Sequence, residues 1–452
     1  VLTSGNRSDE PQTIDNRDAH RRLARIADYY LLHDRDIVNR LDDSVLRIAD
    51  GVPRFLRRAR GYAPQPILLP EGFADGGSLL AMGGELKNTF CLLQEGRAIL
   101  SQHIGDLEDA ATHRDYRNGL ALYRQLFGHQ PAAIAVDMHP GYLSTRLGHE
   151  FAQEAGVELF EVQHHHAHIT ACMVEHGLPP DAGKVLGVAL DGLGYGADGT
   201  LWGGEFLLAD YRGFERLAHF RPVPMPGGTQ AIREPWRNTY AQLREMPGWE
   251  HVADRYTGLD IIRFLKSKPL DILATMAGKQ LNSPLTSSCG RLFDAVAAAI
   301  GVCREQVSHE GQAAIELESL ATAEFHNQAE HAYPWDCDDA KTGILGWRRL
   351  WEALLEDLLQ GTAAATVAAR FHQCLVQAVA ETARGLCLRH ALDTVVLGGG
   401  VFQNRLLLEG VSERLRAAGI KVLSPEKVPA NDGGLALGQA AIAAAGRLTS
   451  CD

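Results

Sequence analysis

The chain predicts an α/β protein built from a duplicated unit, with a helical insertion in its second half and a shorter α/β segment in front. Three observations carry this. A meander of three short strands occurs twice, each copy runs on into alternating helices and strands, and 452 residues exceed what one hydrophobic core usually serves. In the first copy, residues 79–104 read as an apolar strand, a Gly-Gly-Glu-Leu-Lys-Asn turn, a strand over 89–93, a turn over 94–97 and a third strand over 98–104. The helical pattern RDYRNGLALYRQLFG and a strand over 132–138 follow. In the second copy, residues 184–222 give strand KVLGVAL, turn DGLGYGADG, strand LWGGEFLLA, turn DYRG and strand ERLAHFRPV. A helix over 363–390, a strand over 394–397, a helix from Asn404, a strand over 421–423 and a last helix after Asp432 complete that half. The segment 230–360 reads as largely helical and is taken as the insertion. Residues 1–62 are dense in Arg and Asp, and Pro64, Pro66, Pro70 with the Gly-rich EGFADGGS mark 63–78 as a linker, leaving 79–452 as the main domain.

Two copies of such a meander followed by alternating helices and strands resemble the layout of the actin/hexokinase/Hsp70 (ASKHA) superfamily. In α/β folds of this kind the ligand sits outside the strand ends, here in the cleft between the halves. Composition narrows the function classes. A formal charge of −12 argues against non-specific nucleic-acid or anionic-membrane binding. No apolar run approaches the roughly 18–20 residues that span a bilayer, and the polar start VLTSGNRSDE carries no secretory signal. Eight cysteines (Cys91, Cys172, Cys289, Cys303, Cys337, Cys374, Cys387, Cys451) are scattered without a C-x-x-C, which fits a reducing compartment. A cytoplasmic location is expected.

The chemistry concentrates in VQHHHAH, residues 162–168. His164 and His168 are four residues apart, so on a helix they share a face and can grip one divalent ion, for which neutral imidazoles suit zinc, iron or nickel; a solvated polar cap at a helix start is the other reading of the cluster. DGLGYGADG places Asp191, Gly192 and Gly194 in an inter-strand turn whose N–H groups can cradle phosphate, or simply in a Gly-rich hairpin. The matching turn of the first half brings Lys87, able to pair with phosphate. LGGGVFQNRLL resembles the superfamily's adenosine loop, with Gly398, Gly399 and Gly400 approaching a nucleoside and Asn404 hydrogen-bonding it; a tight strand–helix turn explains the glycines equally well. Asp432 in ANDGGLALGQA reads either as a helix N-cap or as the third member of a His-His-Asp metal triad. Asp137 and His139 form a polar pair at the cleft edge, with His139 a candidate catalytic residue or a turn-former. SSCGRLFDAVAAAIG and HEGQAAIELE read as packed helices that could also line a nucleotide.

Taken together, GGELKNTF, SQHIGDLE, DMHPGYLST, VQHHHAH, LDGLGYGADGTLWGGEF, SPLTSSCGRLFDAVAA, EGQAAIELE, GGGVFQN and NDGGLALGQA resemble, in order, the C-terminal part of the HypF family of carbamoyltransferases in [NiFe]-hydrogenase maturation. That part is similar to the TsaD fold of tRNA threonylcarbamoyladenosine formation. The resemblance implies metal ligands His164, His168 and Asp432, with Asp191 and its glycines facing phosphate or metal. It implies ATP and a divalent metal (zinc or iron, with magnesium accompanying ATP) as cofactors, and carbamoyl phosphate and HypE as partners. Its reaction passes a carbamoyl group through carbamoyl-adenylate to the C-terminal cysteine of HypE. Residues 1–62 resemble the end of a YrdC-like domain, LTSGNRSDEP standing for its nucleotide loop. A fragment of a longer chain is therefore expected, retaining transfer but poor at making the adenylate. Competing readings are a carbamoyltransferase acting on a small-molecule hydroxyl, a TsaD-type tRNA enzyme, and a nucleotide-binding docking module for HypE.

Overall fold

The duplication expected from the sequence is visible in strand order. In the computed structural model, which describes residues 4–7, 10–246, 248–338 and 343–449, each half carries a sheet in which five shared strands, numbered in chain order, lie in the spatial order third, second, first, fourth, fifth. In the first half these are Arg97–Leu100, Cys91–Gln94, Leu79–Ala81, Ala133–Asp137 and Glu158–Val162. In the second they are Phe214–Phe220, Leu201–Ala209, Val185–Tyr195, Thr394–Gly398 and Lys421–Leu423. The meander strands pair antiparallel and the later two pair parallel, because helices cover the return path. Thr3 of the N-terminal loop and Cys451 lie outside the described residues.

Two helices are packed between the sheets, His164–Glu175 and Leu435–Thr449, and share one core with both. Their backbones approach closely: a methyl at Gly438 would stand 1.9 Å from the Ala167 carbonyl oxygen. The Ala-rich face of the last helix follows from this, since larger side chains would hold the helices apart. Among the described residues no helix is long and apolar enough to cross a membrane.

Two expectations change, and a third gains detail. The stretch 63–78, read as a linker, is folded into the first half: Ile67–Leu68 pairs with Arg97–Ala98, and the buried Phe73 opens a 3-10 turn packed on the last helix. The insertion is largely helical, with Leu285–Thr286 and Ile344–Gly346 adding short strands to the second sheet. DGLGY is strand rather than turn. Strand Val185–Tyr195 runs through it, with a bulge opposite Trp202–Gly204, and the turn proper is Gly196–Gly199. Only Gly199 of that run has a positive φ, and Gly194 and Gly196 answer to neighbouring side chains and not to turn geometry.

Candidate metal centre

The Gln163 side chain caps the histidine helix, accepting the His166 N–H at 2.9 Å, and the helix begins at His164 as expected. One turn brings His164 Nε2 and His168 Nε2 to 3.2 Å of each other. Asp191 Oδ2, from the strand of the opposite sheet, lies 3.1 Å from His168 Nε2 and 3.4 Å from His164 Nε2. Asp432 Oδ1, on the 3-10 turn Asp432–Gly434, lies 3.6 Å from both. The N-cap alternative for Asp432 fails because Asn431 takes that role, accepting the Gly433 N–H at 2.9 Å. Asp191 thus joins the triad as a fourth converging group. Its Oδ1 accepts the N–H groups of Gly192 (2.7 Å) and Gly400 (3.1 Å), while its buried Oδ2 has no hydrogen-bond partner.

The surroundings complete the design. Asp137 Oδ2 sits 2.8 Å from His164 Nδ1, which places the proton there and leaves the Nε2 lone pair turned to the cluster. Burial depresses the pKa of both imidazoles, but Asp432 and Asp137 for His164, and Asp191 and Asp432 for His168, outweigh it and raise them. Burial likewise raises Asp191 and Asp432, and the facing imidazoles more than reverse that. Such a buried acidic cluster needs positive charge, supplied either by protons on imidazole or by a cation. The orphaned Asp191 Oδ2 and the two-nitrogen, two-carboxylate set fit a borderline-soft divalent ion such as zinc or iron better than magnesium.

The loop that carries Asp432 is tied to the helix that bears His164 and His168. The buried Glu175 carboxylate, at the far end of the histidine helix, accepts the N–H groups of Glu426 (2.7 Å), Lys427 (3.0 Å) and Val428 (3.0 Å). His176 Nε2 adds a 2.9 Å bond to the Ser424 carbonyl. This loop leads directly into Asn431 and Asp432.

Asp191 and Asp432 open into a cavity of about 350 Å³ between the halves. Gly192, Gly400, Asn404 and Lys87 line it too, as do Arg291, Asp294, Glu310 and Glu318 from the two segments read as packed helices. Lys87 reaches across to pair with Glu310; burial lowers its pKa, and Glu310 and Asp432 raise it by more. Asp294, against Arg291 at 2.9 Å, is pushed up to about 6 by burial.

Other expected residues have different work. His139 forms a turn, its Nδ1 accepting the Gly141 N–H at 3.1 Å and its ring stacked on Tyr142 at 4.1 Å, and it is not among the cavity-lining residues. Gly194 is small because the rings of His165 and His164 lie against it, 2.5 and 2.7 Å from where a Cβ would stand. Gly398 lies against the His168 backbone in the same way, at 3.3 Å. Gly399 (φ +93°) passes Leu190, whose carbonyl oxygen a Cβ would meet at 2.3 Å. Neither Gly398 nor Gly399 is a cavity-lining residue. Asn404 caps the helix Arg405–Ala417 through Oδ1 and meets His372 Nε2 with Nδ2 at 2.9 Å, so both ends of its amide have protein partners. His165 and His166 bond Gln163 and the Asp210 carbonyl, away from the cluster. Sequence reasoning missed the Asp137–His164 bond, and it missed Arg47 and Leu56 of the N-terminal segment in the cavity wall. Neither carries a local signal.

Known proteins resemble the chain over nearly its whole length. Residues 187–439 match the family described as "Carbamoyltransferase, Kae1-like Domain, second subdomain", residues 74–175 the "HypF Kae1-like domain", and residues 1–59 a family described as "Telomere recombination". The Carbamoyltransferase HypF of Rhodobacter capsulatus is 44% identical, over 98% of this chain and 57% of its own length. A shorter relative, the Carbamoyltransferase HypF homolog of Cupriavidus necator, is 40% identical over 83% of this chain and 93% of its own. A crystal structure of full-length HypF in its phosphate- and nucleotide-bound form superposes with a TM-score of 0.89 at 41% identity, covering 98% of this chain and 56% of that one. The chain therefore spans a little over half of the R. capsulatus protein and of that crystallised chain. With family matches across both halves and the N-terminal segment, it belongs to the HypF carbamoyltransferase family.

Proposed function

We propose that this chain transfers a carbamoyl group, delivered as carbamoyl-adenylate made from carbamoyl phosphate and ATP, to the C-terminal cysteine thiolate of HypE in [NiFe]-hydrogenase maturation. The observation that carries the reading is the pair of ligand carboxylates, Asp191 and Asp432, opening from a buried two-histidine cluster into the inter-half cavity. His164, His168, Asp191 and Asp432 would hold the ion, which would supply Lewis-acid chemistry to the transfer. Asp137 keeps His164 in the ligating tautomer.

The phosphate contact falls to Lys87, which must leave Glu310 to make it. The N–H groups of Gly192 and Gly400 are turned to Asp191 Oδ1, so in this cleft they orient the ligand carboxylate. The apolar side chains of Phe293, Ala314, Ile315 and Val401 exclude water and suit a nucleoside. In the transfer the thiolate sulfur bonds to the carbamoyl carbon, the bond from that carbon to the adenylate oxygen breaks, and AMP leaves with the electron pair. Lys87, held charged, offsets negative charge on that leaving group.

The test uses the purified chain, supplied carbamoyl-adenylate and a peptide ending in the HypE cysteine. S-carbamoylation by the wild type, with loss of both metal and transfer in a His164→Ala/His168→Ala variant, is expected. Undiminished transfer by that variant would overturn the assignment. ATP–pyrophosphate exchange with carbamoyl phosphate measures adenylate formation separately.

A further inference from the structure

The hairpin Val45–Ala49/Val52–Arg57 belongs to the N-terminal segment, which matches a different family from the cleft. Two of its residues nevertheless line the cavity, Arg47 and Leu56. We infer that this hairpin is a built wall of the nucleotide cleft, and that Arg47 and Leu56 hold the nucleoside end of the bound nucleotide. The inference rests on the nucleotide reading above and adds to it the contribution of a segment outside the duplicated halves.

The hairpin is anchored on two flanks of the cavity. At its turn, the Asp50 carboxylate takes both terminal nitrogens of Arg416 at 2.7 Å, and the Asp50 N–H donates to Glu409 at 3.0 Å. Along the second strand, the buried Arg54 donates to the carbonyls of Pro425 (2.7 Å) and Ser424 (3.2 Å). The Leu56 carbonyl accepts from Asn431 at 3.2 Å, one residue from the ligand Asp432. An undocked segment would show no such set of bonds to the Gly-loop helix and to the metal loop at once.

Arg47 is held as a recognition group. Its guanidinium donates to both carboxylate oxygens of Glu318, one of them at 3.1 Å, and to the Gln403 carbonyl at 3.2 Å. Glu318 in turn accepts the Arg405 N–H at 3.0 Å, so the insertion, the N-terminal hairpin and the triple-glycine loop meet at one ion pair. Glu318 neutralises Arg47, whose side chain remains one-third exposed. A neutralised, fixed, planar guanidinium beside Leu56 and Val401 is suited to stacking on a purine and poorly suited to attracting phosphate. Phosphate is left to Lys87.

This division gives a discriminating experiment. Calorimetry on the full chain compares AMP and ATP binding in the wild type, Arg47→Ala, Arg47→Lys and Arg416→Ala, with metal content and thermal unfolding measured on each. Arg47→Ala is expected to weaken AMP and ATP by the same factor, roughly tenfold, at unchanged metal content. Lysine does not restore binding, because it lacks the planar face. Arg416→Ala, a half-exposed residue outside the cavity, weakens both nucleotides by releasing the hairpin. Wild-type affinity in Arg47→Ala overturns the inference alone, and so does a loss that grows with the number of phosphates. A wild-type chain that binds neither nucleotide overturns the cleft reading, and this inference with it.

Discussion

Replacing Glu175 by Ala tests whether one helix sets the whole metal centre. The carboxylate receives three backbone N–H donors, from Glu426, Lys427 and Val428, at 2.7 to 3.0 Å. Each donor left dry and unpaired costs about 1–3 kcal/mol. Some will reach water once the side chain is gone, so the net loss is about 3–5 kcal/mol. Glu175→Gln keeps one acceptor oxygen and turns an amide NH2 towards the donors, so it should cost less, about 1–3 kcal/mol. The loop that relaxes is the one leading to Asp432, whose Oδ1 must stay near both imidazoles. Metal affinity, read by competition with a chelator, should therefore fall roughly 10–100-fold in the Ala variant, as when a supporting group is removed from a ligand. The Gln variant should lie between. Thermal unfolding of the metal-free proteins separates stability from affinity. A lower melting temperature with wild-type metal affinity would refute the reasoning, since the strap would then stabilise the fold without positioning Asp432.

Four further outcomes follow from the geometry. Asp137→Asn should lower metal affinity roughly 10–100-fold at unchanged stoichiometry under saturating metal, because His164 loses its anionic partner; equilibrium dialysis reads this. Gly399→Ala should destabilise the chain by roughly 2–4 kcal/mol in denaturant melts, from its positive φ and the Leu190 carbonyl 2.3 Å from the new Cβ. Asp294→Asn should cost roughly 3–5 kcal/mol in the same melts, since it leaves the buried Arg291 without its counter-charge. Burial pushes Glu175 from an ordinary 4.5 up to about 8, so the folded chain holds that proton more tightly than the unfolded one. Its contribution to stability is present below about 4.5 and lost as pH rises to about 8, and a pH series of melts should show a shallower slope in Glu175→Gln.

The strand and helix order was legible because the pattern repeats. An apolar meander read twice, 79–104 and 184–222, checks itself, and both copies form the same sheet order. The histidine pair was legible because four residues on a helix is a fixed geometry, and the two Nε2 atoms do converge. The bond from Asp137 to His164 spans 27 residues and depends on how a strand end faces a helix start, which no local pattern encodes. The Arg47–Glu318 pair spans 271 residues and links segments that read as separate units.

The glycines show where reading by residue type stops. A Gly-rich run suggests positive φ, and in this chain only Gly399 and Gly199 adopt it among the glycines of the two loops. Gly194 and Gly398 lie against the histidine helix, so their smallness serves the packing of the histidine cluster. Gly192 and Gly400 give their N–H groups to Asp191, which frees its other oxygen to face the imidazoles. The two Gly-rich segments are thus fitted to the histidine cluster and to Asp191. A substitution in either should be judged by its distance from His164, His168 and Asp191 before its distance from a nucleotide. On that ordering Gly194→Ala, whose methyl would meet two imidazole rings, should release the metal, whereas Gly192→Ala, with nothing within 4 Å of its Cβ, should keep the metal and report on the cleft alone.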